Sequence, residues 1–271
     1  MKARLRNLAF CNANMKKKYR YIFISLMIVM CFRCSFADDN VKIYGNVSPD
    51  DYVTGMFNPA KHASFVLLSE LSVPTNKWPH RLRREAAEAL KELYTAFRKD
   101  NPKAPFWVQS SARNFDDQKY IWDGKWTGKI EVNSLNLAQS IHDPLKRAVE
   151  ILKFSSMPGT SRHHWGTDFD LNVLSNDYFE KGEGKALYRW LHRNAHRYGF
   201  CQPYTEGRSA GYREEKWHWS YIPLAKILLA RWNFFYDKNP GFFKRKGLFG
   251  GSVQSGSLAP EYVNSINAIC E

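Results

Sequence analysis

Residues 161–170 read SRHHWGTDFD and hold two adjacent histidines, two aspartates and one glycine. Imidazole nitrogen and carboxylate oxygen are donors that suit zinc, which in catalytic sites takes three protein ligands and leaves a fourth position open. Such a site also needs a nearby carboxylate to carry protons. Taken alone, a stretch of this kind is more often a polar loop, so the rest of the set has to come from elsewhere. It comes in EKWH, where Glu215 and His218 stand on a different predicted strand. Within 163–170, a regular strand would put residues of equal parity on one face, grouping His164, Asp168 and Asp170 and leaving His163 out. A bend or bulge at Gly166 would remove that restriction, so parity by itself leaves both histidines open.

These residues resemble, in type and order, the VanY-type zinc D-Ala-D-Ala carboxypeptidases, in the group of LAS metallopeptidases that includes lysostaphin and sonic hedgehog. The family pattern S-x-H-x-x-G-x-x-x-D is matched by Ser161, His163, Gly166 and Asp170, and E-x-W-H by Glu215, Trp217 and His218. A third family element, a serine-rich turn with Arg and then Gln, is matched by Arg113 and Gln118 in SSARNFDDQ. The resemblance takes in NAHRYGF and covers roughly residues 60–232.

The resemblance implies one zinc ion held by His163, Asp170 and His218, with His164 and Asp168 in reserve. It makes Glu215 the general base and Arg113 the group opposing charge on the oxyanion or substrate carboxylate. Ser161, Gln118 and Trp217 are the implied substrate-binding groups. The implied activity is hydrolysis of peptidoglycan stem peptides with release of terminal D-Ala. L,D-carboxypeptidase or endopeptidase action are alternatives within the family, and a non-catalytic zinc-bearing binding module is one outside it. Asp168 departs from the family, where a small apolar residue is common, and is expected to be solvated or to stand behind the ligands. Lys216 and Ser220 replace a frequent Pro and Arg. Glu214 is expected to be a surface charge, and of Trp217 and Trp219 one should wall the pocket and the other pack. The remaining histidines, His62, His80, His142, His192 and His196, read as surface or helix residues.

The elements that position this set mix helices and short strands without a βαβ rhythm, which favours a single α+β domain. With the resemblance, the expected fold is hedgehog/D-Ala-D-Ala-peptidase-like, a small, mainly antiparallel sheet flanked by helices. Apolar residues recurring at three and four predict an amphipathic helix over 81–99. FWVQSS predicts a strand at 106–111, and further helices are predicted over 116–126 and 143–154, the latter with Pro144 in its first turn. A strand at FDLNVL, a helix ending at Gly199, strands at GFCQPY and EKWHWSYI, and a helix from PLAKILLARWNFF complete the body.

Residues 15–37 carry a basic start, an apolar run and small residues at Ser35 and Ala37, the pattern of an export signal. The divisions expected are a signal segment at 1–37, an irregular lead-in at 38–59, the zinc peptidase domain at 60–236 and a packed tail at 237–271. Loss of 1–37 removes eight basic and no acidic residues and lowers the formal net charge from +14 to +6. That moderate excess and the lack of a basic block interleaved with aromatics argue against nucleic acid. The mature form is expected to be periplasmic and monomeric, without a membrane span. It retains Cys201 and Cys270, which could form a disulfide or remain two free thiols.

Overall fold

The computed structural model describes residues 43–271. Residues 47–271 form one unit and carry every element below; the signal segment expected at 1–37 lies outside the described residues. Helix α1, Pro49–Thr54, falls where an irregular lead-in is expected. Ser48 caps it by accepting from Asp51 N, and Pro49 starts it, a strong local signal for a helix too short to show periodicity. Strands β1, Phe65–Leu67, and β2, Arg81–Arg83, pair antiparallel. The residues at 81–83 are thus strand, and the predicted helix begins after them as α2, Arg84–Asp100.

Strand β3 is Val108–Ser110 and helix α3 is Phe115–Trp126, opened by a capping box between Asn114 and Asp117. Helix α4, Pro144–Leu152, has Asp143 as its cap and Pro144 in its first turn. Strand β4 is Asp168–Leu171. Helix α5, Gly182–Asn194, tightens into a 3-10 turn, Ala195–Tyr198, which stops at Gly199 with φ +79°. Strands β5, Phe200–Cys201, and β6, His218–Tyr221, lead to helix α6, Ile222–Lys238.

The main sheet has the order β3-β4-β6-β5, with every neighbouring pair antiparallel. Alternation gives it two unlike faces. Phe169, Leu171 and Trp219 join Val108 and Phe200 in the apolar core, covered by Ala86, Leu90, Leu93 and Phe97 of α2 and by Leu187 and Leu191 of α5. Burying one such Leu or Phe contributes about 2 kcal/mol. Asp168, Asp170, His218 and Ser220 are the alternate residues, all buried on the other side. The packed core therefore anchors two strands whose opposite face is free for polar chemistry. The tail adds Phe243, Phe249, Tyr262 and Val263 to the buried set. It is pinned by a Cys201–Cys270 disulfide across a separation of 69 residues.

Candidate metal centre and cleft

Asp170 of β4 and His218 of β6 are direct partners in the antiparallel register. Their side chains therefore rise from one face side by side, with His218 Nδ1 3.1 Å from Asp170 Oδ1. His163 reaches the same point from a 3-10 turn, Arg162–Trp165, and not from a strand. Gly166 ends the turn at φ +71°, and its carbonyl accepts from Arg83 N at 2.9 Å. The parity conflict disappears because β4 begins only at Asp168: the turn, not a bulge inside a strand, sends the two histidines in different directions. His163 Nε2 lies 3.4 Å from Asp170 Oδ2. His164 points away and is held by Gly159 N and Arg113 O, so it is not a ligand.

One ligand atom from each of His163, Asp170 and His218 lies within 4.8 Å of the others, and all three residues are buried. Two imidazoles and a carboxylate at such spacing fit a zinc ion with bonds of about 2.0–2.2 Å. The groups behind them fix which nitrogen is offered. His163 Nδ1 lies 2.9 Å from Ser111 O, which can only accept, so the proton sits on Nδ1 and Nε2 faces the ion position. His218 is turned the other way, with Nε2 2.9 Å from Asp168 Oδ2 and Nδ1 left for the ion.

Asp168 is fully buried behind the ligand His218, the second of the two places expected for it, and is not solvated. Its carboxylate also accepts from Arg162 Nε at 2.9 Å, Thr167 Oγ1 at 2.6 Å and Ser220 Oγ at 2.8 Å, while Arg162 Nη2 donates to Ser220 Oγ at 2.7 Å. Burial alone would raise its pKa, but Arg162 and His218 hold the group well below the usual carboxylate range. Burial likewise opposes a charged His218, yet the carboxylates of Asp168, Asp170 and Glu215 raise it well above the ordinary value. The same negative field favours a dication. His80 corrects an expectation, for it is buried and not at the surface, with Nδ1 2.9 Å from Ser111 Oγ and Nε2 2.8 Å from Asn76 Oδ1. His62 is buried too, packed edge-on against Tyr52, Phe57 and Phe65.

The three residues open onto a cleft of about 560 Å³. Glu215 lines it, with Oε2 3.3 Å from His218 Nδ1 and a side chain only 14% exposed. Burial raises its pKa, with His218 opposing, which suits a group that takes and returns a proton. Arg113 lines the cleft and donates from Nη1 to Ser110 Oγ at 3.1 Å. Gln118 donates to Ser156 O at 2.8 Å, and its buried Oε1 has no partner among the described residues. Trp217 walls the cleft while Trp219 packs in the core. Ser161 is 1% exposed and does not line the cleft. Lys216 turns outward to Glu180, 2.9 Å away. Glu214 is partly buried on the cleft wall instead of free on the surface. Sequence reasoning left Arg162, Ser111 and Tyr204 unassigned; the Tyr204 ring centre lies 4.7 Å from that of His218. The only signal for the first was Asp168 in a family position usually small and apolar.

Residues 79–224, over half the chain, match the VanY family, described as D-alanyl-D-alanine carboxypeptidase, and the chain belongs to that family. It is 30% identical over 154 residues to YodJ of Bacillus subtilis (strain 168), provisionally named a carboxypeptidase, covering 54% of this chain and 49% of that one. The chain thus spans about half the length of that relative. Among solved structures, the LdcB LD-carboxypeptidase is similar with a TM-score of 0.46 and 21% identity, over 65% of this chain and 78% of that one. A vancomycin-resistance D,D-pentapeptidase VanY in complex with Zn(II) is similar with a TM-score of 0.42 and 26% identity, over 58% and 82%.

Proposed function

We propose that this protein is an exported, zinc-dependent carboxypeptidase that hydrolyses peptidoglycan stem peptides and releases their terminal D-Ala. The observation that carries the reading is Glu215 Oε2 standing 3.3 Å from the His218 nitrogen that faces the ion position, at the wall of a cleft wide enough for a peptide. Family membership supplies the substrate class.

His163, Asp170 and His218 would hold the zinc ion, which when bound would supply Lewis acidity toward the scissile carbonyl and water. Glu215 takes the proton of the attacking water and delivers it to the departing amine. Arg113 lies in the field of Asp170 and Glu215, where its guanidinium opposes negative charge developing on the carbonyl oxygen. Ser111 and Asp168 keep the two imidazoles in the tautomers the site needs. His163 is thereby unavailable as general base to a serine, which argues against a serine-type route through Ser161.

The Cys201–Cys270 disulfide supports an oxidising compartment, consistent with export to the periplasm. Among the described residues no helix is long and apolar enough to cross a membrane. The test is D-alanine release from a pentapeptide stem by the purified protein, with and without a chelator, alongside digestion of defined muropeptides. Chelator-sensitive release of one D-alanine is expected. Release that persists in chelator would defeat the metal mechanism, and cutting inside the stem would replace carboxypeptidase with endopeptidase.

A further inference from the structure

Four cations line the cleft: Arg113, Lys125, Lys153 and Arg213. Lys153 is ion-paired with Glu150 at 2.5 Å. Arg213 is exposed and lies over the Phe154 ring, 5.6 Å from its centre. Arg113 acts in the field of Asp170 and Glu215 at the reacting end. Lys125 has no such commitment. It shares one face of α3 with Gln118 and Ile121, the i, i+3, i+7 positions, and all three line the cleft. Its ammonium carries three protons, yet among the described residues it makes one hydrogen bond, to Ser155 Oγ at 2.6 Å, and no ion pair.

A partly buried cation without a counter-charge is costly, and a ligand anion is the group that would offset the cost. Burial, then the neighbouring Arg113, pushes the Lys125 ammonium down to about 8, with only Glu215 acting the other way. A peptide cut at its last bond brings two negative charges to this cleft: the oxyanion that forms at the scissile carbonyl and the carboxylate that ends the chain. Arg113 answers the first.

We propose that Lys125 binds the terminal carboxylate of the substrate and so makes the enzyme an exopeptidase. The inference rests on the peptidase reading above and deepens it. Binding at Lys125 requires a free chain end, and a stem peptide continued by an amide bond at that point would leave the ammonium unpaired.

The test reads binding, not turnover, on the Glu215→Gln protein, using a blocked tripeptide ending in D-Ala-D-Ala, its C-terminal amide, and an amide of the same length bearing a glutamate side chain. Calorimetry is expected to show the acid bound roughly ten- to a hundredfold tighter than the plain amide. Lys125→Met in the same background should remove that preference and leave amide affinity unchanged, and Lys125→Arg should restore part of it. Equal affinity for acid and plain amide, or no binding of either, overturns the inference without any need for the variant. Equal losses on both peptides in Lys125→Met, or a preference that follows the glutamate side chain, overturn it as well. Release of D-alanine by the unsubstituted protein, without an acid preference in binding, would leave the peptidase reading standing and remove only this inference.

Discussion

His218 Nε2 donates to Asp168 Oδ2 at 2.9 Å, and this bond decides which nitrogen of the ring faces Asp170 and Glu215. Partners behind a metal ligand commonly account for ten- to a hundredfold in metal affinity. Asp168→Asn is therefore expected to weaken zinc binding by about one to two orders of magnitude, read by competition with a chelator. Asp168→Ala also strands the buried Arg162 and is expected to cost about 3–5 kcal/mol of stability. Unchanged zinc affinity in a folded Asp168→Asn protein would remove Asp168 from the site.

The proposed function assigns Glu215 to the proton traffic and not to the ligand set. Glu215→Gln should lower peptide hydrolysis by about 10²- to 10⁴-fold while the protein retains its zinc, checked by turnover and metal analysis of the same sample. Loss of the metal together with activity would instead make Glu215 a ligand.

His164 predicts an acid limit to stability. Its Nε2 accepts from Gly159 N at 3.0 Å, so a second proton on the ring would face an N–H, and burial pushes the pKa down to about 3. Between the ordinary value near 6.5 and about 3, the unfolded chain binds a proton that the folded one does not. Stability should thus be lost as pH falls through that window, by on the order of 5 kcal/mol from this group. A bound dication nearby acts in the same direction. Urea midpoints between pH 7 and 4 check the slope, which His164→Gln should flatten.

Gly166 sits at φ +71°, and a Cβ there would lie 2.3 Å from the Phe65 ring. Gly166→Ala combines a left-handed backbone cost with overpacking, together about 2–4 kcal/mol. Thermal melting should show the loss, and zinc affinity should fall with it because this residue ends the turn that presents His163.

How much of this was legible in the chain depends on how local the signal is. Asp170, Glu215 and His218 are recognisable because their types and spacing lie within short segments. The α2 and α6 helices announce themselves by composition and period over many residues. The Arg162–Asp168–Ser220 network joins segments separated by 52 and 58 residues and leaves no local trace beyond an unexpected aspartate. The 3-10 turn at Arg162–Trp165 has four residues, too few for any periodicity, which is why parity could not decide between the histidines. His62 and His80 lie in segments rich in Pro and Asn, and a polar neighbourhood in sequence says nothing about tertiary burial.

The pairing of Asp170 with His218 has a consequence for how the protein can fail. A slip of one residue between β4 and β6 would turn His218 and Ser220 into the oily side and bring Trp219 out beside Asp170. Strands misaligned in this way would part Asp170 from His218, so in the proposed zinc enzyme cation capture would double as proofreading of strand alignment. A population misaligned in this way should be inert and metal-free instead of weakly active.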